Sequence, residues 1–427
     1  MKSIWQDSID KTTFGSLRES VSTDVLIIGG GIAGILCAYK LRQSGIDCIL
    51  VEADRICGGI SENTTAKITL QHGLIYNKLG RAADKYLMAQ REAMDDYERL
   101  CSNIDCDYEK RNSFVYSLND RKKLEREVSA LRSLGVDAEL TDTDLPFETA
   151  GAVCVKDQAQ FHPLKFLYGI ARDLPIYEST KIVGIKSGRA HFNGGSISAR
   201  RIIIATHFPI INKHGAYFLK MYQHRSYVLA LRGAPLVDGM YVDESDAGMS
   251  FRTYGEHLLL GGGGHRTGKD GGSYHELEHF VARYYPGATI THRFATQDCM
   301  TLDSVPYVGM YSKSTENLFV VTGFNKWGMT SSMLSANILT DMLIGRKNSY
   351  ADVFSPQRSI LHPQLAVNAA ESFLGLVTPT APRCPHLGCA LKYNRAEHSW
   401  DCPCHGSRFT SSGQLINGPA TDDKKGI

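Results

Sequence analysis

Residues 24–52, DVLIIGGGIAGILCAYKLRQSGIDCILVE, constrain this chain more than any other stretch. An apolar run, a glycine-rich turn, a helical pattern and a second apolar run follow one another with almost no spare residues. Gly29, Gly31 and Gly34 make G-x-G-x-x-G, with Ile32 and Ala33 inside the turn, and Glu52 closes the second strand. The first glycine allows the tight turn, the second lets backbone approach a pyrophosphate, and the third lets helix and strand pack closely. The N-terminus of the following helix offers unpaired N–H groups and partial positive charge to phosphate. Glu52 is placed to accept hydrogen bonds from a ribose. The motif alone is weak, but strand, helix and acidic residue all fall where a dinucleotide needs them.

Length and composition bound what surrounds this unit. At 427 residues the chain is too long for one ordinary core, so two or three domains are expected. A formal charge of +2 with no long basic run argues against nucleic acid as a partner. The first 22 residues lack an apolar signal core. The longest apolar stretch, VLIIGGGIAGILCA, is glycine-broken and too short to cross a bilayer. A cytoplasmic protein that does not span a membrane is expected. In that setting the 11 cysteines point to buried thiols or metal ligands before a disulfide framework.

Further along, 80–101 and 120–134 carry amphipathic helical patterns, and ARRIIIATH (199–207) reads as a buried strand. SYVLALRG (226–233) and GEHLLLGGGG (255–264) alternate, which suggests an antiparallel sheet and a second lobe. Residues 316–345 return to strand, turn and helix, with Gly345 as a helix end. Residues 346–375 contain prolines, show no strong period and read as a connector.

From VLIIGGGIAG, LVEADRICGGISENTTAKI, KIVGIK, RIIIATH, TLDSVPYVGM and VVTGFNKWGMTSS, residues 22–345 resemble the D-amino-acid-oxidase-like (glycine/sarcosine oxidase) superfamily of FAD enzymes. The resemblance implies an α/β fold with an α+β second lobe. Its Rossmann-like FAD domain takes about 22–80, 150–210 and 300–345; its antiparallel-sheet substrate lobe takes about 81–149 and 211–299. It also implies that Ser61 to Lys67, with Thr65 and Ala66 between, lie along the flavin and that Val183 abuts the adenine. Gly323 to Thr330, including Gly328 and Met329, would face the flavin's pyrimidine edge. Backbone N–H groups there would stabilise a reduced, anionic ring. One departure stands out: where the family often has A-x-G after the strand, this chain has ATH, ending at His207.

The C-terminal stretch RCPHLGCALKYNRAEHSWDCPCHGSRF (383–409) holds four cysteines and three histidines. Cys384-x-His386, then fifteen residues, then Cys402-x-x-His405 gives two thiolates and two imidazoles. Zinc accepts such a set, and so does a [2Fe–2S] centre with two Cys on one iron and two His on the other. CPHLGC and CPCHGS resemble the two cluster loops of the Rieske family. The resemblance implies Cys384 and Cys402 on one iron, His386 and His405 on the other, and a Cys389–Cys404 disulfide. It departs at Phe409, where the respiratory type has a tyrosine that donates to a cysteine sulfur. It departs again in length, because residues 376–427 make a shortened, all-β module.

Weaker candidates complete the picture. In related amine oxidases a basic residue of the second lobe holds the substrate carboxylate, which makes Arg252 and His265 candidates beside the alternative of a surface arginine. Lys326 is close to the expected flavin edge, Trp327 reads as packing or cage, and His72 fits covalent flavin attachment poorly. His275 and His279 lack a third ligand and read as a helix face. The expectation is an FAD-dependent dehydrogenase of a small amine or amino acid that passes electrons through a Rieske cluster to a soluble or membrane carrier. Its rivals are a reductase or monooxygenase fed by the cluster, and a redox relay.

Overall fold

The structure is a computed structural model that describes residues 2–211, 214–246, 248–379 and 382–426. Two large sheets share the first 345 residues. The first has eight strands, with the core order Tyr307–Met310, Leu318–Thr322, Gly195–Ile204, Val21–Ile28, Cys48–Val51, Ile176–Tyr177. Val25 to Ile28 run parallel to both Cys48–Val51 and the end of Gly195–Ile204. Helices cover one face and the strands Ile182–Lys186 and Arg189–Phe192 pack Ile182, Ala190 and Phe192 against the other, so the central strands are apolar throughout instead of alternating, as a parallel sheet buried on both faces demands. The helices Ile32–Gln43 and Gly328–Leu343 pack against each other over this sheet, which brings both glycine-rich turns to one end.

The second sheet has nine strands, in the path Thr289–Thr301, Met221–Arg232, His257–Arg266, Ser250–Tyr254, Gly239–Asp243, Glu109–Ser117, Gly151–Gln160, Lys67–Ile68. Its pairing is antiparallel except between Gly239–Asp243 and Glu109–Ser117. Gly151–Gln160, inside a stretch assigned from sequence to the nucleotide-binding part, pairs here. Its residues are buried except at Lys156 and Asp157, as befits a strand inside the sheet and not at its edge. Lys67–Ile68 also joins this sheet, so the segment after Glu52 crosses from one sheet to the other. The helix Arg121–Ser133 starts where Asp120 accepts the Lys123 N–H at 3.1 Å, an N-cap that places the helical pattern seen in the sequence.

The C-terminal module is a four-stranded antiparallel meander of three-residue strands: Lys392–Asn394, Ser399–Asp401, Arg408–Thr410 and Leu415–Asn417. Its apolar cluster is only Cys384, Cys389, Leu391, Cys402, Cys404, Phe409 and Ala420. So small a core cannot hold a domain alone. The module instead sits on the nine-stranded sheet. Arg225 pairs with Glu397, with side chains 6% and 8% exposed, and Arg408 pairs with Glu397 at 3.0 Å and with Asp401 at 3.0 Å. The connector is not irregular: Pro363–Val377 is a helix. It buries Asn368 and Gly375 and leaves Phe373 and Leu374 exposed, which is why no inward apolar period appears in its sequence.

Burial alone would raise the Glu397 pKa, but the Arg225 hydrogen bond and the charges of Arg225 and Arg408 hold it below the usual 4.5. A depressed carboxylate stabilises the fold above its unfolded pKa and loses that contribution as pH falls through the folded value. The seam is therefore complete above pH 4.5 and weakens only in stronger acid. Glu397→Gln leaves Arg225 buried without its charge partner and should cost about 3–5 kcal/mol. Thermal unfolding should show the loss at pH 7, and limited proteolysis should release the C-terminal module earlier than in wild type.

Candidate functional site: a flavin cavity sharing a wall with a cluster module

A cavity of about 750 Å³ opens between the two sheets. Gly29, Gly31, Ile32, Ala33, Glu52, Ser61, Thr65, Lys67, Gly323, Gly328 and Met329, all singled out from sequence, line it. Each glycine has a visible cause. Gly29 has φ +115°, and a Cβ there would stand 2.5 Å from the Ala205 carbonyl oxygen. A Cβ on Gly34 would collide with the carbonyl oxygen of Gly29, so Gly34 is a packing glycine behind the wall. The Ile32 N–H at the helix start donates to Ser61 Oγ at 2.9 Å, which shows that this terminus takes an oxygen acceptor. Glu52 accepts from the Gly30 N–H at 2.7 Å and the Asp54 N–H at 3.1 Å, so its carboxylate is fixed at the strand end. Burial raises its pKa despite these bonds.

His207 sits where the family pattern has glycine, and it keeps the glycine's conformation, with φ +62°. Its carbonyl accepts from the Thr322 hydroxyl, and the residue lines the cavity. Nε2 is buried without a hydrogen-bond partner, and burial pushes the ring down to about 4. A neutral imidazole with an unused nitrogen suits a bound group rich in hydrogen-bonding atoms, and the glycine cradle suits a pyrophosphate. The residues present fit FAD.

Other expected residues fall elsewhere. Val183 is 60% exposed, because the strand Ile182–Lys186 turns Ile182 inward; Thr180, Lys181 and Ile182 form the wall there instead. Arg252 is neither a surface residue nor part of the cavity wall. It lies behind the flavin-side loop, donating to the carbonyls of Thr65 at 2.6 Å and Ala66 at 2.8 Å, with Trp5 against its guanidinium. Ala66, with φ +52°, thus turns its carbonyl away from the cavity. Burial pushes Arg252 down to about 9. His265 is tied to Tyr227 Oη at 3.0 Å and to the Arg266 carbonyl at 3.0 Å, and Tyr227 rather than His265 reaches the cavity. His72 and Trp327 do line the cavity and stack on each other; His72 lies 2.9 Å from Thr330 Oγ1 and 2.6 Å from Tyr86 Oη, so both its ring nitrogens are engaged. His275 and His279 stand together, ring centroids 4.1 Å apart, on the helix Ser273–Tyr284.

Lys326 lines the cavity, with Nζ donating to the Asp246 carbonyl at 3.0 Å; burial lowers its pKa. Asp298 lines the same region and is pushed up to about 6 by burial, against the charges of Lys326 and Arg225. Lys67, bonded to Thr65 Oγ1 at 3.0 Å, is pushed down to about 7 by burial and then by the Arg252 charge. His207, Gln223, Asp298 and residues 415–421 of the cluster module are wall components the sequence reading missed. The departure at ATH was the only signal for any of them.

The two cysteine-histidine loops are built alike. Gly388 N–H donates to the Cys384 carbonyl at 2.9 Å, and Gly406 N–H donates to the Cys402 carbonyl at 2.9 Å. Both glycines have positive φ, +81° and +87°, the conformation that closes such a turn. The rings of His386 and His405 meet edge to face, centroids 5.0 Å apart. His405 Nδ1 is buried without a hydrogen-bond partner, while its Nε2 lies 3.3 Å from Ser372 Oγ. The neighbouring thiols of Cys384, Cys389 and Cys404 hold the Cys402 pKa well below the usual thiol range. Two facing loops, each bringing a sulfur and an imidazole to one point, fit a [2Fe–2S] centre. Cys389, Cys402 and Cys404 have sulfurs within 4.8 Å of one another, yet all eleven cysteines are thiols here. The expected Cys389–Cys404 disulfide is a contact, not a bond, in this structure. Gly375 of the connector helix makes room for it, since a Cβ there would collide with Cys404 Sγ.

The FAD-dependent oxidoreductase (DAO) family model matches residues 24–342, and the Rieske [2Fe-2S] domain model matches residues 356–425. The chain belongs to the DAO family of FAD-dependent oxidoreductases. It is 33% identical over 494 aligned positions to the Rieske 2Fe-2S iron-sulfur protein YhfW of Bacillus subtilis, covering 99% of this chain and 97% of that one. It is 24% identical to gamma-glutamylputrescine oxidoreductase of Escherichia coli, over 84% of this chain and 93% of that one. Glycine oxidase from Geobacillus kaustophilus shares the fold, with a TM-score of 0.67 and 19% identity over 79% of this chain and 99% of that one. The DAO domain binds FAD and the Rieske domain binds a [2Fe-2S] cluster. No helix among the described residues is long and apolar enough to cross a membrane.

Phe409 is fully buried in the Rieske module, where the respiratory type has a hydroxyl donor. Without that donor the extra negative charge of the reduced cluster is less stabilised, which lowers the potential within the Rieske range of about −150 to +300 mV. Phe409→Tyr should raise the potential in an EPR-monitored redox titration.

Proposed function

We propose that this flavoprotein oxidises the C–N bond of a small amine or amino acid and passes the electrons from flavin through the Rieske cluster to an external carrier. Bound FAD accepts two electrons with a hydride, and a [2Fe-2S] centre accepts one at a time. The observation that carries the reading is the shared wall. Residues 415–421 of the Rieske module line the flavin cavity, and Gln223 lines it too while donating to the carbonyls of His405 at 3.0 Å and Gly418 at 2.8 Å. A cluster ligand's own residue is thus one hydrogen bond from the cavity. The similarity to gamma-glutamylputrescine oxidoreductase supports an amine substrate.

The chain's side chains divide the remaining tasks. An amine must be neutral before hydride leaves its carbon, and Lys67, pushed down to about 7, is placed to take the ammonium proton. With Arg252 and His265 turned away from the cavity, Lys326 is the cation beside Asp298; it would meet a substrate carboxylate while Asp298 meets an ammonium group.

Anaerobic mixing with a panel of amines and amino acids should bleach the flavin with at least one of them, followed by the EPR signal of a reduced Rieske centre. Bleaching by none, together with flavin reduction through a reduced cluster, would sink the proposed direction. For a responsive substrate, kcat/KM should rise with pH through about 7 as Lys67 loses its proton, and Lys67→Met should remove that limb. Lys326→Met should raise KM for amino acids at least tenfold, about 1.4 kcal/mol of lost binding, and leave simple amines little changed.

A further inference from the structure

The second cluster loop is held from outside its own module by an arginine. Arg266 ends the strand His257–Arg266 of the substrate lobe. Its Nε donates to the Pro403 carbonyl at 3.2 Å and its Nη2 to the Cys404 carbonyl at 3.2 Å, between the ligands Cys402 and His405. Nη1 donates to Asn368 Oδ1 of the connector helix at 3.0 Å, and the guanidinium lies 4.8 Å from the Tyr222 ring centre. Gly268, two residues on, packs backbone to backbone on the same loop, a Cβ there standing 2.5 Å from the Pro403 nitrogen. The planar fork is therefore fixed in three directions at once.

Its charge is not cancelled locally. No carboxylate lies within ion-pair distance of Arg266 among the described residues; the nearest acidic influence, Glu371, is paired to Lys269 at 2.6 Å. All three groups that accept its N–H bonds are neutral amide oxygens. Burial lowers the Arg266 pKa from its ordinary 12.5, but a guanidinium starts so high that it keeps its charge at neutral pH. The side chain thus presents an uncompensated positive charge to a loop whose sulfurs and cluster gain negative charge on reduction. In a partly dry setting such a charge acts more strongly than it would in water.

We propose that Arg266 is a positioning residue whose charge raises the reduction potential of the Rieske cluster, offsetting the hydroxyl donor absent at Phe409. The step it favours is the gain of one electron by the bound cluster; no bond forms or breaks. The proposal requires only that the cluster be bound, so it stands or falls separately from the amine substrate and from the direction of electron flow.

The test is potentiometric titration of the full-length holoenzyme, followed by the EPR signal of the reduced cluster. Arg266→Gln, which removes the charge, should lower the potential, and Arg266→Lys, which keeps the charge but loses the fork, should restore most of it. Asn368→Asp places a carboxylate beside Nη1 without altering the bonds to Pro403 and Cys404, and should also lower the potential. Gln297→Leu removes a neutral bond to the same loop, from Gln297 Nε2 to the Gly406 carbonyl at 2.9 Å, and should leave the potential near wild type. The proposal is overturned if Arg266→Gln leaves the potential unchanged, or if Arg266→Lys shifts it as far as Arg266→Gln. It is also overturned if Gln297→Leu lowers the potential as much as Arg266→Gln, because the fork would then act only as a clamp. Should Arg266→Gln fail to hold its cluster, Asn368→Asp decides: an unchanged potential there overturns the proposal.

Discussion

Arg225, Glu397, Arg408 and Asp401 form a buried run of alternating charge at the seam between the substrate lobe and the Rieske module. Everything about the second redox centre depends on this seam. The module's own apolar cluster is dominated by cysteine, and its strands are three residues long, so it lacks the area to fold by burial alone. A buried ion network is rarely more stabilising than a well-packed apolar patch of the same volume. What it adds is direction. Apolar faces tolerate sliding, whereas the bonds from Gln223 and Gln297 to successive carbonyls of the second cluster loop admit only one register. Gly406 shows how close that register is, since a Cβ there would stand 2.5 Å from the Gln223 side chain.

A second buried cation shapes the flavin side by the same means. Arg252 spends one nitrogen on the Thr65 and Ala66 carbonyls and leaves Nε and Nη2 without partners. Leaving those donors unpaired costs stability, and Ala66 sits in a left-handed conformation that non-glycine residues seldom adopt. Both costs fall on one short segment between the two sheets, and strained segments of this kind cluster at functional sites. The result is a loop whose carbonyls face backwards and whose Lys67 faces the cavity. The same geometry keeps Arg252 out of the cavity wall, whereas Lys326 on the opposite turn lines it.

Much of this was legible in the sequence because it rests on local rules. The first glycine motif and the buried strand read at 199–207, which runs over Gly195–Ile204, follow from spacing or period within a few dozen residues, while the ligand set Cys384, His386, Cys402 and His405 rests on the resemblance of two short loops to the Rieske family. Arg252, His265 and Val183 misled for a common reason. Their sequence neighbourhoods place them near the site, but a side chain's direction is decided by packing across sheets, which no local pattern records. The helix Pro363–Val377 was hidden differently. It buries Asn368 and Gly375 and exposes Phe373, inverting the usual amphipathic order, so a search for inward apolar residues finds nothing. His207 is the instructive middle case. The sequence showed that a glycine was missing, and only the backbone shows that its conformation was kept.

The shortened module and the arginine from the neighbouring lobe are linked by one physical requirement. A cluster that gains negative charge on reduction needs donors or positive charge around it, whatever supplies them. Phe409 withdraws one source from inside the module, while Ser407, whose oxygen accepts from the Ala420 N–H at 3.0 Å, keeps its O–H as a donor beside Cys384. The loop carbonyls of Pro403 and Cys404 accept the Arg266 N–H bonds, which brings a charge from the other side of the seam to the segment between Cys402 and His405. Under the proposed tuning, the potential would be a property of the docked state, not of the module. The buried ions that hold the seam therefore govern more than stability: they fix the register in which Arg266 meets the second cluster loop beside the cavity.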